Sequence, residues 1–245
     1  MPISYRQPLN DIYVYQHGQF DDFYKKRPKQ PNEKNTLEIH AGLWLDKYIE
    51  KQERDDVGVR AQLVREVATI AEPAIYEPFY NSWKKILEGE HGARTREART
   101  KGRMVVGLGS ESVLKTSIAL HRTYGMPYIP GSSLKGLVAS YVRNYLSDEW
   151  REGNESKFFN ILLGNTKGAG YITFFDALYV PGSGGGAQNK ALYSDVITVH
   201  HQQYYQSGTS NPPADWDSPI PIPFLSATGT YLLALAAPDM ERAHA

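Results

Sequence analysis

Apolar and polar positions along the chain keep two rhythms, and the change falls near residue 90. Over residues 37–54, Leu37, Leu43, Leu45, Tyr48 and Ile49 make one partly apolar face, which predicts a helix. Residues 58–88 predict a longer helical stretch. Leu63, Val67, Ile70 and Ala71 recur at i, i+4, i+7 and i+8, with interruptions near Glu72-Pro73 and Glu77-Pro78. Tyr76, Phe79, Tyr80 and Trp83 carry the apolar face into a third piece. Ahead of these, residues 1–36 are polar and broken by Pro2, Pro8, Pro28 and Pro31, which predicts an extended lead-in exposing Lys25-Lys26-Arg27. Residues 89–101 read as a basic connector.

Past the connector the period shortens. Met104-Val105-Val106 predicts a short strand before a Gly107-Leu108-Gly109 turn. Over residues 113–121, Leu114, Ile118 and Leu120 alternate against Lys115, Ser117 and His121, the pattern of a half-buried strand. Tyr124 to Gly131 predicts a rigid loop, and residues 132–146 an amphipathic helix with Leu134, Leu137, Val138, Tyr141, Val142, Tyr145 and Leu146 as its apolar stripe. That stripe assigns Tyr141 and Tyr145 to the core. Tyr171 to Val180, Asp195 to His200 and Gly229 to Ala237 predict strands. Pro181 to Gly186 predicts a flexible break, and Asn211 to Pro213 and Pro219 to Pro223 predict loops. Helices followed by strands mixed with one good helix make an α+β protein: a helical region over 1–93 and a mixed domain over 94–245.

Composition narrows the chemistry. The 245 residues contain no cysteine, which excludes disulfides, thiolate catalysis and cysteine-held zinc or iron–sulfur centres. The longest apolar run, Tyr231 to Ala237, is far short of the roughly 20 residues that span a bilayer. The N-terminus lacks the basic-then-apolar layout of a signal peptide. The expectation is a soluble cytoplasmic protein without a membrane partner. Twenty-seven Lys and Arg balance 27 Asp and Glu, which argues against a tail-like binder of nucleic acid. The balance is uneven along the chain, however. From Arg94 to Arg143 nine cations face only Glu97 and Glu111, a window of +7 that leaves −7 elsewhere. Tyr124, Tyr128, Tyr141 and His121 interleave with those cations, as suits stacking on bases or covering ribose.

The sharpest local signal is Tyr128-Ile-Pro-Gly-Ser-Ser-Leu-Lys-Gly136. Pro130 stiffens the entry, Gly131 permits tight backbone geometry and Ser132 is a natural N-cap. The helix start would then offer free N–H groups beside the hydroxyls of Ser132 and Ser133 and the Lys135 ammonium, a recipe for holding phosphate. Gly136 costs a helix about 1 kcal/mol relative to alanine, which is easier to accept where something approaches the backbone closely. The bland alternative is a loop-to-helix cap with a tightly packed glycine. Neither a P-loop nor a complete Gly-x-Gly-x-x-Gly fingerprint is present.

These residues carry a resemblance. Gly107-Leu-Gly-Ser-Glu-Ser-Val113, Thr116-Ser-Ile-Ala-Leu-His121 and Tyr124 to Gly136 resemble the RAMP superfamily of CRISPR–Cas proteins. Asp195-Val-Ile-Thr-Val-His-His-Gln-Gln-Tyr-Tyr205, Pro213-Ala-Asp215, Pro219 to Leu225 and Gly229-Thr-Tyr231 resemble, within it, the family of the sixth subunit of the type III-B Cmr effector complex. The resemblance implies a modified RRM-like (ferredoxin-like) fold. It also implies a non-catalytic subunit that holds the 3′ part of the CRISPR RNA and caps the filament, beside target RNA and other Cmr subunits. By position, RNA backbone would run past Gly131, Ser132, Ser133, Lys135 and Gly136. Arg103, Lys115, His121, Arg122 and Arg143 are basic candidates nearby. The family usually closes with a second helix and a strand bearing a glycine-rich loop, which the segment after Ala237 does not show. The fold's last elements are therefore expected outside this chain, with a partner covering the incomplete sheet edge.

Catalysis has weaker support. His200 and His201 adjoin in a predicted strand and so point to opposite faces, which does not suit one metal ion. Stacking on RNA with Tyr204 and Tyr205, or a structural role, fits them better, and neither metal nor cofactor is expected. His121 could serve as general base in a metal-free ribonuclease that processes CRISPR RNA, the rival reading. A protein-only scaffold is the third.

Overall fold

The computed structural model describes residues 39–49, 57–110, 116–146, 150, 157–186, 189–201, 204–205 and 212–238; Lys115 and the N-terminal lead-in lie outside them. Among the described residues three helices come first: α1 (Ala41–Lys47), α2 (Val57–Val67) and α3 (Tyr76–Gly89). His40 caps α1. Its Nδ1 accepts the Leu43 N–H at 3.1 Å, so the ring proton sits on Nε2, 3.0 Å from the Arg122 carbonyl that receives it. α1 is fixed to α2 by the Trp44 indole, whose N–H donates to the buried Glu66 carboxylate at 3.0 Å; Gln62 holds the other carboxylate oxygen. A buried carboxylate needs such donors. Pro78 falls in the first turn of α3, where its missing N–H costs no helical bond. The expected interruption is therefore part of a helix start.

The main sheet is antiparallel, in the order β1 (Arg94–Arg99), β9 (Thr230–Ala236), β6 (Ala177–Tyr179), β2 (Tyr128–Ile129), with β5 (Thr173–Phe174) also paired to β9. The expected basic connector is thus strand β1, aligned from Arg94 opposite Leu235 to Arg99 opposite Thr230. It shows no apolar alternation because it is an edge strand with almost every position exposed, and charge is what such an edge carries. β5 and β6 are one strand interrupted by a bulge. Phe174 pairs with Leu235, but Leu178 pairs with Leu232, so the Phe174–Leu178 side holds one extra residue. Asp176 sits in that bulge.

A second, two-stranded unit is the ribbon β7 (Leu192–Val199) and β8 (Ile220–Ala227). The expected Pro219–Pro223 loop is strand here. Pro221 and Pro223 are two apart, so their N atoms face the same way, and β8 has β7 as its one partner over these residues. On the side away from β7 a proline costs no ladder bond; there the Pro223 carbonyl accepts the Thr116 hydroxyl at 3.2 Å. The expected strand over 113–121 is not regular across its described part. Residues 116–121 buttress the core through single bonds, Ala119 N–H to Val106 O and His121 N–H to Met126 O, both at 2.7 Å, and one bridge joins Leu120 to Pro127. The expected Met104–Val106 strand reduces to a bridge between Met104 and Ala227.

Among the described residues three apolar clusters form the core. α1, α2, Ile118 and the base of the ribbon share the first, so the early helices do not stand apart from the later strands. α3 and the sheet share the second, around Tyr76, Tyr179, Tyr231 and Leu232. The third joins α4 (Gly131–Tyr145) to α5 (Lys157–Leu163) through Ala139, Val142, Phe159 and Leu163. After α5 the short hairpin β3 (Gly164–Asn165) and β4 (Gly168–Ala169) leads back to the sheet. The expected core role of Tyr141 and Tyr145 is overturned: they are 57% and 73% exposed and stack on each other, ring centroids 5.0 Å apart. Only part of the apolar stripe of α4 finds a partner within the described chain.

Candidate nucleic-acid interface

α4 begins one residue earlier than its sequence signals. Gly131 opens the helix, Pro130 stands at the N-cap and no side chain caps from within, in place of the expected Ser132 cap. The bulge supplies the substitute: Gly131 N–H donates to Asp176 Oδ1 at 2.7 Å. Gly131 must be glycine for packing, since a Cβ there would lie 2.1 Å from the Phe174 carbonyl oxygen. Ser133 and Leu134 N–H groups turn back to Pro130 O, at 2.9 and 3.1 Å. The helix start therefore already faces a carboxylate, so its tip is taken and the side of the first turn is the part left open to an anion.

On that side lies a groove of about 340 Å³ lined by Ser132, Lys135, Gly136, Ala139 and Arg143 of α4, Phe159 and Leu163 of α5, and Gly164 and Asn165 of β3. The α4 residues recur at helical spacing, one face from first turn to last. The Arg143 guanidinium lies over the Phe159 ring, 5.4 Å from its centroid. Asn165 Oδ1 closes its own turn by accepting Lys167 and Gly168 N–H groups. Gly136 has open space: a Cβ there would meet nothing within 4 Å. Its cost to the helix thus has no packing explanation inside the described chain, unlike that of Gly131.

The other candidates lie elsewhere. Arg103 pairs with the Asp195 carboxylate, donates to Ser194 O at 3.2 Å and lies 4.5 Å from the Tyr193 ring centroid, tying the chain before Met104 to the ribbon. Burial works against the Asp195 charge, yet hydrogen bonds from Arg103 and Ser226 hold the carboxyl below its ordinary value. His121 packs among Phe79 at 5.2 Å and Tyr124 at 5.1 Å. Burial pushes its imidazole below the ordinary histidine value, against the pull of Asp176. Its Nδ1 accepts the Thr123 N–H at 3.3 Å, which leaves the ring proton on Nε2 and commits the lone pair a general base would use. The Arg122 side chain is exposed. His200, His201, Tyr204 and Tyr205 gather at the far end of the ribbon. β7 ends at Val199, so the two histidines are not strand neighbours; His201 takes a φ of +58° and its Nδ1 lies 2.8 Å from Asp217 Oδ2. No group of three His, Cys, Asp or Glu fit for a metal ion occurs among the described residues.

The RAMP superfamily model matches residues 97–219, which take in the second half of β1, all of α4 and its groove, and the ribbon tip. The chain belongs to the RAMP superfamily. Among RAMP relatives it is 31% identical over 220 residues to the CRISPR system Cmr subunit Cmr6 of Pyrococcus furiosus, covering 68% of this chain and 64% of the relative. To the CRISPR system CMR subunit Cmr6 of Saccharolobus solfataricus it is 24% identical over 138 residues, 55% of this chain and 44% of the relative. The chain thus spans less than two-thirds of the length of either. It shares its fold with a chain in the cryo-EM structure of the type III-B Cmr-beta complex bound to cognate target RNA, with a TM-score of 0.53 and 18% identity over 74% of this chain and 59% of that one. No described helix is long and apolar enough to cross a membrane.

Sequence reasoning missed three participants. Asp176 sits inside a β-prone run, and only its break of alternation could have flagged it. Phe159 lies in residues 147–170, a stretch to which the sequence pattern assigns no element. Trp216, the most exposed large apolar side chain described, lies between two aspartates in the unassigned stretch between the loops predicted over Asn211–Pro213 and Pro219–Pro223.

Proposed function

We propose that this chain is an RNA-binding, non-catalytic subunit of a type III-B CRISPR effector complex, holding the 3′ part of the CRISPR RNA at the end of the filament. The Cmr6 relatives support the assembly. The observation that carries RNA binding is the α4 groove, where Lys135 and Arg143 flank a helical glycine whose backbone is left open. Phosphate oxygens would be met by the Ser132 hydroxyl, the Lys135 ammonium and the Arg143 guanidinium, which rests over Phe159, while the strand passes closely over Gly136. Such contacts read backbone rather than base, as a guide of variable sequence requires. Neighbouring subunits would cover the open edge at β1. The committed lone pair and packed ring of His121 support a non-catalytic role.

Titration with single-stranded RNA at several salt concentrations tests the reading. Log affinity should fall with log salt at roughly 0.7 per phosphate contact, and Lys135→Ala should reduce both affinity and slope. A flat salt dependence, unchanged in Lys135→Ala, would remove the groove from RNA binding. Metal-independent cleavage of repeat RNA in EDTA, abolished by His121→Ala, would replace the non-catalytic reading with a ribonuclease.

A further inference from the structure

We infer that the tip of the β7–β8 ribbon docks a second protein, with Trp216 and Tyr205 entering an apolar slot whose rim is cationic. The display is built. Residues 214–217 form a turn closed by Asp217 N–H to Ala214 O at 3.0 Å. Asp217 Oδ2 accepts the Ala214 N–H at 3.2 Å and joins His201 Nδ1 at 2.8 Å. His201 keeps its place with a left-handed backbone, φ +58°, a conformation that costs energy in a residue with a side chain. Trp216 is thereby held out on a locked turn at 86% exposure, with Tyr205 at 76%. Pre-set, solvent-facing tryptophan and tyrosine side chains are the residue types that dominate protein interfaces.

Charge selects the partner. From Ala191 to Glu241 the chain contains no lysine or arginine, and the anionic groups at the tip are Asp215 and Asp217. Within that segment a phosphodiester meets carboxylates and no lysine or arginine to replace its counterions. An arginine or lysine rim gains Coulomb attraction to Asp215 and a cation–π contact with Trp216. The tip therefore suits a basic protein surface, not the RNA for which His200, His201, Tyr204 and Tyr205 were candidates.

The test rests on the proposed place in a Cmr complex. The purified chain is titrated against the remaining Cmr subunits of the same source without RNA, and separately against single-stranded RNA alone. Trp216→Ala should weaken protein association at least about tenfold and leave RNA affinity within about twofold. Asp215→Lys should slow association and flatten its salt dependence. If the wild-type chain binds the subunits and Trp216→Ala binds them equally well, the docking inference is wrong and the complex assignment stands. Loss of RNA affinity in Trp216→Ala would assign the tip to RNA and overturn the inference. A wild-type chain that binds no Cmr subunit overturns both the inference and the complex assignment, while the RNA titration still reports separately on the groove.

Discussion

The α4 groove and the ribbon tip are two ways of displaying aromatic and charged side chains. In the groove the aromatic ring is buried and the cations are outermost: Phe159 is floor, and Arg143 lies over it. At the tip the rings are outermost, with carboxylates beside them. A buried ring under a guanidinium cannot stack with a base, but it fixes a cation where a phosphate can use it. A free indole among carboxylates offers apolar area to whatever brings positive charge. Both regions contain polar and aromatic residues within one RAMP chain, and the order of layers separates the proposed backbone reader from the proposed docking surface.

The comparison breaks most visibly if the seat of α4 is disturbed. Gly131→Ala forces a Cβ against the Phe174 carbonyl, so α4 or the bulge must move; denaturant unfolding should show a loss of about 3 kcal/mol. A loss below about 1 kcal/mol would mean that the bulge does not fix the helix. Next come the groove cations. Lys135→Ala and Arg143→Ala should each lower RNA affinity about tenfold, with Trp216→Ala as the silent control in the same titration. Equal effects from all three would erase the distinction between the regions.

A smaller effect concerns Arg103 as a tie rather than a ligand. The Asp195 carboxyl is depressed in the folded chain, so the stability it contributes is complete above its ordinary value of 3.8 and drains away as pH falls below that toward the folded value. Asp195→Asn should cost about 1 kcal/mol at pH 7 and flatten the acid limb of the stability curve. An unaltered acid limb would free Arg103 for RNA. Gly136→Ala separates folding from function by sign. It should stabilise the helix by about 0.5–1 kcal/mol while weakening RNA binding, and a variant that is both more stable and equally tight would strip Gly136 of its role. The smallest change is expected from Tyr141→Ala or Tyr145→Ala, within about 0.5 kcal/mol, where a core tyrosine would cost several.

Legibility in the sequence followed the range of the forces involved. The helix over Gly131–Tyr145 was readable because its period and the preceding Pro-Gly act within a few residues. The groove was half readable: Ser132, Lys135, Gly136 and Arg143 share a face by spacing alone, whereas Phe159 and Asn165 come from elements whose docking no local pattern encodes. β1 and β8 were misread for related reasons. An edge strand need not alternate, and prolines are welcome on the unpaired side of a ribbon, so both look like loops until their one-sided pairing is known.

By itself the sequence determined the absence of cysteine chemistry, the α+β class, the basic window from Arg94 to Arg143 and the RAMP motif, since each is a matter of composition or of contacts closed within a few residues. The tertiary structure decided that Asp176 rather than phosphate meets the α4 N-terminus, that Tyr141 and Tyr145 face solvent, that Arg103 is bound to Asp195, and that Trp216 stands free on a pinned turn. Each of these depends on which distant segment arrives beside the residue. Burial and pairing are properties of that arrival, and no periodicity along the chain contains them.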